Sequence, residues 1–169
     1  MTAVRTTVNL AEIEQKLPVE LVQNLLACEL EGSVIGGDGV AGISSLAGAY
    51  VLLVGIEREV TISCTGREMI SLKAGWYAYC GSAKGPGGLK ARVGRHFKLD
   101  KTRHWHIDHL TNGESTLAVL TVAEGDECAL VQSLVESGVF TPAVSGFGSS
   151  DCRTCKSHLM MWHGVDRIP

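Results

Sequence analysis

Tyr50 in Gly48-Ala49-Tyr50, Tyr79 in Tyr79-Cys80-Gly81-Ser82, and the pair Arg92 and His96 form the chain's most informative constellation of reactive side chains. Arg92 and His96 stand four residues apart, so a helix would put them on one face. A guanidinium stays charged and offers a planar fork of donors that matches a phosphate. The glycine-rich run from Gly81 to Lys90 between them invites a nucleotide-loop reading. It lacks a Gly-Lys-Ser/Thr ending in register and fails G-x-G-x-x-G, so it is not read that way.

Two further clusters have ligand chemistry. Cys152-Arg-Thr-Cys155 with His158 has the spacing of half a zinc site, and His163 or Asp151 could supply the fourth ligand that zinc normally takes. A redox dithiol is a weaker alternative, because the C-x-x-C does not open a helix after a strand. Reduced structural thiols are the third reading. His104, His106, Asp108 and His109 are dense enough to hold a transition metal, with His106 and His109 on one helix face. A polar groove lining, with Trp105 packed or stacked, is the preferred reading of that cluster.

The elements that must carry these residues follow from hydrophobic period and turn chemistry. Residues 9–31 read as helix, with Asn9 and Glu12 as a capping box and Pro18 in the first turn of a second helix. Leu21, Val22, Leu25 and Cys28 give that helix an apolar stripe. Residues 32–45 contain Gly32, Gly36, Gly37, Gly39 and Gly42, which predicts a linker without helix or packed strand. Residues 1–45 are then a helical extension and Gly-rich linker, with six Asp or Glu against two Lys or Arg.

From Gly48 the pattern is β. Tyr50 to Val54 is a continuous apolar run suited to a central strand, Val60, Ile62 and Cys64 alternate with polar residues, and Trp76 to Cys80 is aromatic-rich. Three strands in meander order are expected. Leu89, Val93 and Phe97 place a helix over 89–98, followed by a short helix at 104–110, a strand at 116–123 and a helix at 126–136.

The motifs together resemble the GIY-YIG nuclease superfamily. Gly48-Ala49-Tyr50 and Tyr79-Cys80-Gly81 stand in place of its two tripeptides, and Leu89 to His96 matches its Leu-x-x-Arg-x-x-x-His helix. The middle residue departs in both tripeptides, but it points away from the neighbouring tyrosine face. Within the superfamily the chain is most similar to a small family grouped with Uri-type endonucleases, through Tyr77 to Ala83, His104 to Leu110, and Gly146 to Cys152 followed by Ser157-His158-Leu159. The likeness covers about residues 46–163. It implies an α/β (α+β) domain over 46–169, a small mixed central sheet flanked by helices. It further implies that Tyr50 helps take a proton from water, Tyr79 supports it, Arg92 holds the phosphate, His96 contacts the phosphate or the tyrosine, and Glu127, with Glu124 and Asp126 as nearby rivals, holds Mg²⁺ or Mn²⁺. Such a hydrolase would be an endonuclease cutting phosphodiester bonds in DNA. The superfamily's usual asparagine has no counterpart after Glu127, which keeps a second class open: an inactive nucleic-acid-binding or assembly module of the same fold.

Charge supports a polyanion partner. The net charge is -3, yet Lys84 to Arg103 carries seven cations and one anion, +6, leaving -9 for the rest. Lys84, Lys90, Arg95, Lys98 and Arg103, with His104 and His106, are the expected DNA contacts. With 45% hydrophobic and 20% charged residues in 169, the chain can bury a core, which excludes intrinsic disorder. The most apolar run, Leu46 to Ile56, is shorter than the roughly 20 residues of a membrane span. No secretory signal is readable at Met1 to Leu10, so a cytoplasmic protein with reduced cysteines is expected.

Overall fold

The computed structural model describes residues 17–28, 30, 33–64, 68–112 and 116–164; the Asn9 and Glu12 capping pair lies outside them. Its elements are α1 (Val19–Ala27), β1 (Ser33–Ile35), a 3-10 turn (Gly37–Gly42), β2 (Gly48–Ile56), β3 (Val60–Cys64), β4 (Glu68–Leu72), β5 (Gly75–Ser82), α2 (Gly88–His96), α3 (Asp108–Thr111), β6 (Thr116–Ala123), α4 (Glu127–Glu136), β7 (Phe140–Pro142) and β8 (Leu159–Trp162). The α+β class read from the sequence is the one observed. No described helix is long and apolar enough to cross a membrane.

All nine residues of β2 are buried, as its apolar run requires of a central strand. It pairs antiparallel with β5 on one side and β6 on the other, and the six-stranded order is β1-β6-β2-β5-β8-β7. The described strand pairs are all antiparallel. The expected meander is corrected here: β3 pairs with β4 in a separate hairpin instead of with β2. Both edges of β2 are taken by apolar strands along nearly their whole length. The half-polar Val60-Thr61-Ile62-Ser63 run buries only Ile62 and is left to an outlying ribbon.

A second correction concerns residues 32–45, read as a linker without strand. Ser33–Ile35 extends the sheet as an edge strand on β6, with Val34 opposite Leu120 and buried. Two β-branched residues between glycines suffice for a three-residue edge strand, which the glycine count conceals. Pro18 sits at the N-cap of α1, just outside the first turn. Leu21, Val22 and Leu25 of α1 enter the main core as their stripe predicts, and Trp162 Nε1 donates to Asn24 Oδ1 at 3.0 Å to fix α1 against β8.

Strand alternation divides the interior in two. Ala49, Val51, Leu53, Ala78 and Cys80 face a core closed by α1 and by Leu130, Val131 and Leu134 of α4. Tyr50, Leu52, Val54 and Tyr77 face the opposite core, closed by Leu89 and Val93 of α2 and by Ile107 and Leu110 around α3. The middle residues of both tyrosine motifs therefore point away from the tyrosines, as expected.

The predicted helix at 104–110 shrinks to the four residues of α3. The segment before it is shaped by Asp108 instead. This buried carboxylate accepts from Arg95 Nη1 and Nη2 at 2.6 and 2.9 Å and from the backbone N–H groups of His104 and Trp105 at 2.8 and 3.0 Å. Burial acts to raise its pKa, but the bonds from Arg95, Trp105 and His104 prevail and hold it at about 2, against an ordinary 3.8. Its stabilising effect is therefore complete above pH 3.8 and is lost as pH falls toward 2. Asp108→Asn should flatten the acid limb of the stability curve in urea titrations. Arg95→Ala, which leaves the buried charge unpaired, should cost about 3 kcal/mol or more at neutral pH.

Candidate active site

The cleft forms at one end of the sheet, where β5 and β6 finish and α2 and α4 begin. Tyr50 is the third residue of β2, Tyr79 lies in β5, Arg92 and His96 lie on α2, and Glu127 opens α4. All five line one open cavity of about 520 Å³, together with Ser82, Trp105, Asp151 and Arg153. The sequence brought these five forward as a set, and the fold brings them together.

The centre is a buried contact between two elements. Tyr50 Oη lies 2.7 Å from His96 Nε2, and both residues are withdrawn from solvent. In the sheet Tyr50 pairs with Gly81, where an added Cβ would overlap Cζ and Oη of the Tyr50 ring. Gly81 is therefore the floor on which that ring lies. Tyr79 is placed similarly by Gly148: a Cβ there would come within 2.7 Å of Tyr79 Cε2, and its φ of +67° suits glycine. Phe147 closes on the Tyr79 ring edge-on at 6.2 Å.

Electrostatics set the proton inventory. Burial raises the Tyr50 pKa well above the ordinary 10.0, the nearby Tyr79 adding to the shift and Arg92 opposing it. Burial also pushes Tyr79 up to about 12. His96 goes the other way: burial lowers it to about 3, with Asp108 opposing and Lys101, Arg95 and Arg92 assisting. The Tyr50–His96 bond thus joins two neutral groups at neutral pH, while His96 Nδ1 is buried without a partner.

The cations divide by role. Arg92 is half-buried with its Cζ 4.2 Å from the centre of the Trp105 ring, and among the described residues no carboxylate pairs with it. Arg95 also meets Trp105 but is tied to Asp108, so its charge is already matched. Lys101 donates to the carbonyls of His96, Lys98 and Thr111 and serves the scaffold. Lys90, Lys98, Arg103 and His104 are exposed, whereas His106 Nδ1 accepts from Gly148 N at 3.2 Å. Lys84 lies 3.4 Å from Asp126 and 3.5 Å from Glu127.

Among the carboxylates near the start of α4, Asp126 caps the helix by accepting from Cys128 N and Ala129 N, and Glu124 is exposed. Glu127 is left facing the cleft. Its Oε2 is buried, with the Lys84 ammonium 3.5 Å away as its ion-pair partner.

Beside Glu127 lies a second group. Cys128, Cys152, Cys155 and His158 put their ligand atoms within 4.8 Å of one another and could hold a metal ion. Cys128, not His163 or Asp151, is the fourth member. His163 is engaged with Thr141 instead. The Thr154 hydroxyl and the N–H groups of Cys155 and Thr154 hold the Cys152 thiol down to about 5, whereas burial pushes Cys128 up to about 12. The His104, His106, Asp108 and His109 run does not converge on an ion site among the described residues, because Asp108 is consumed by Arg95.

Residues 49–168 match the family described as Domain of unknown function DUF123. The chain belongs to the DUF123 family. The matched stretch contains both tyrosines, Arg92, His96, Glu127 and all four members of the metal-capable cluster. No curated protein and no solved structure matches the chain. Within this DUF123 domain, sequence reading missed Gly148, which shapes the Tyr79 site, and Cys128, which lies far from the C-x-x-C it joins.

Two outcomes follow for the DUF123 site. Gly81→Ala should lower stability by about 1–3 kcal/mol because the buried Tyr50 ring must move. A double-mutant cycle with Tyr50→Ala should recover much of that loss, whereas additive losses would place the strain elsewhere. The His96 imidazole resonances should stay unshifted between about pH 5 and 8, where an ordinary histidine changes charge. Its contribution to stability, complete above pH 6.5, should fall as pH drops toward 3, a slope removed by His96→Gln.

Proposed function

We propose that this chain is a metal-dependent endonuclease of GIY-YIG type that hydrolyses phosphodiester bonds in DNA. The observation that carries the reading is the convergence of Tyr50, Tyr79, Arg92, His96 and Glu127 in one open cleft, with Tyr50 hydrogen-bonded to a neutral histidine. Phosphodiester hydrolysis needs a proton acceptor for water, neutralisation of the phosphate charge and stabilisation of the leaving oxygen. These residues offer each of the three.

Tyr50 retains its own proton, so it becomes a base only by passing that proton on. His96 Nε2, at 2.7 Å, is the available acceptor. As the attacking water gives a proton to Tyr50 Oη, the tyrosine proton moves to His96, and neither an isolated tyrosinate nor a hydroxide has to form. The low pKa of His96 opposes this in the free protein. An anionic diester held by Arg92 offsets it, since an imidazolium beside a negative charge is less costly than one in an apolar interior. Arg92 suits the task because the Trp105 ring orients its guanidinium and no described carboxylate competes for it.

The fit of a divalent ion rests on Glu127. A carboxylate that faces an open cleft and is met there by the Lys84 ammonium alone among the described ion pairs is a hard donor of the type Mg²⁺ or Mn²⁺ accepts alongside waters and substrate oxygens. When bound, such an ion would polarise the phosphate and stabilise the leaving oxygen. Lys90, Lys98 and Arg103 supply exposed positive charge for the DNA backbone.

Cleavage of single-stranded, flapped, branched and duplex DNA with Mg²⁺ or Mn²⁺ tests the reading. Glu127→Gln should abolish cleavage while binding in metal-free buffer stays nearly constant. Arg92→Ala should lose affinity and also turnover, the latter by about 10²-fold or more. Equal cleavage by wild type and Glu127→Gln would overturn the assignment of Glu127. Binding without cleavage across the panel would favour a nucleic-acid-binding module instead.

A further inference from the structure

We infer that Cys128, Cys152, Cys155 and His158 bind one zinc ion in a closed site that fixes the wall of the cleft carrying Glu127. The four ligand atoms all lie within 4.8 Å of one another. A tetrahedral ion with Zn–S of about 2.3 Å and Zn–N of about 2.1 Å separates its ligand atoms by about 3.6–3.8 Å. The Cys128 and Cys152 sulfurs are already 3.5 Å apart, about 0.3 Å short of the sulfur–sulfur spacing in such a site. Small adjustments of the remaining side chains complete the tetrahedron.

Other uses of these residues account for fewer of them. A disulfide between any two of the three cysteines leaves the third thiol and the histidine without a role. His158 is only 6% exposed, and its Nε2 is buried with no hydrogen-bond partner. Its backbone is held at both ends, N–H to Phe147 O at 2.8 Å and C=O from Cys80 N at 2.9 Å. The imidazole is thus fixed among the sulfurs by the sheet itself. An iron–sulfur cluster would need its sulfur ligands spread around several iron atoms, a wider arrangement than this one. Three sulfurs and an imidazole are soft and borderline donors, which select zinc over the hard cations that suit Glu127.

The surroundings are those of ligand sulfurs. Cys155 N–H points at Cys152 Sγ at 3.2 Å, and Thr154 Oγ1 lies 3.3 Å from the same atom. Donors on a sulfur stabilise the thiolate and orient it toward a metal. With four protein ligands the ion has no open position, so its role is structural.

The cross-link also has a position in the fold that matters. Cys128 lies in the first turn of α4, immediately after Glu127. Its partners lie on the segment before β8 that also brings Asp151 and Arg153 to the cleft. An ion joining them ties α4 to that segment across 24 residues of sequence, and so sets where Glu127 stands.

The test is metal analysis of the full chain purified without chelators. Close to one equivalent of zinc is expected, and Co²⁺ exchanged into the site should give the intense visible bands of tetrahedral thiolate coordination. Cys128→Ser should lose most of the metal, whereas Cys28→Ser, outside the cluster, should keep it. His158→Cys should retain one equivalent and shift the Co²⁺ spectrum, which guards against a Cys128 variant that merely fails to fold. In native protein, zinc should protect Cys128, Cys152 and Cys155 from alkylation, and chelation should expose them. Less than about a tenth of an equivalent after growth with added zinc would overturn the inference. Equal metal loss in Cys28→Ser and Cys128→Ser would also overturn it. None of these readouts requires DNA cleavage, so the nuclease reading can fail while this one stands.

Discussion

A tyrosine hydroxyl taken out of water needs a partner, and Tyr50 finds one only because β2 is held in a single register. Opposite Gly81 the ring has room to lie flat on the sheet and reach the end of α2. A slip of one residue would turn Tyr50 to the other face, into the core closed by α1 and α4. Residues 44–48 reinforce the register from outside the ladder. Their carbonyls accept from Lys90 N, Leu89 N, Glu124 N and Ala83 N at 2.7–3.0 Å, which ties the start of α2 and the ends of β5 and β6 to the start of β2. The helix bearing Arg92 and His96 is thereby fixed to the strand bearing Tyr50.

That constraint explains why two arginines three residues apart have different roles. Asp108 is buried and must be neutralised, and Arg95 reaches it with both terminal nitrogens. Arg92, nearer the start of α2, meets no such carboxylate among the described residues and keeps its donors for the cleft. Both touch the Trp105 ring, whose segment is held in place by the backbone bonds to Asp108. Part of the cationic segment is therefore scaffold. Lys101 satisfies carbonyls and Arg95 satisfies a carboxylate, so charge counting overstates what remains for an outside partner.

Local signals in the sequence carried far where the chemistry is local. The all-apolar run at β2 and the Leu89, Val93 and Phe97 spacing of α2 each specify their element within one or two turns, and both elements lie within about two residues of where the sequence puts them. Pairings between distant segments were less legible. The sequence reading puts β3 in the main sheet and gives no β4, because alternation predicts a strand but not its neighbour. Ser33–Ile35 was hidden by glycines because a three-residue edge strand needs only an open neighbour. In the site, Tyr50, Tyr79, Arg92 and His96 are legible as a set from their order, and Glu127 only through the family resemblance. Cys128 was not, since only the packing of α4 against the segment before β8 brings it to Cys152.

Three consecutive residues at the start of α4 show how closely the two halves of the site are linked. Asp126 caps the helix and contacts Lys84, Glu127 faces the cleft, and Cys128 joins the sulfur cluster, which with Cys152 and His158 forms part of the same cleft's lining. Successive residues on a helix point about 100° apart, so one rigid turn can present three faces at once. The same rigidity prevents one of them from moving without the others. The partial positive charge at this helix end suits a carboxylate at Glu127, the first residue of α4. Lys84 adds a second favourable charge from the glycine-rich turn. On the proposed reading, the thiol and imidazole ligands and the carboxylate are kept apart by donor type as much as by distance. A soft ion has little to gain from Glu127, and a hard ion has little to gain from the cysteines. The structural ion would then anchor α4 at the cleft wall itself, leaving the adjacent Glu127 carboxylate to meet substrate.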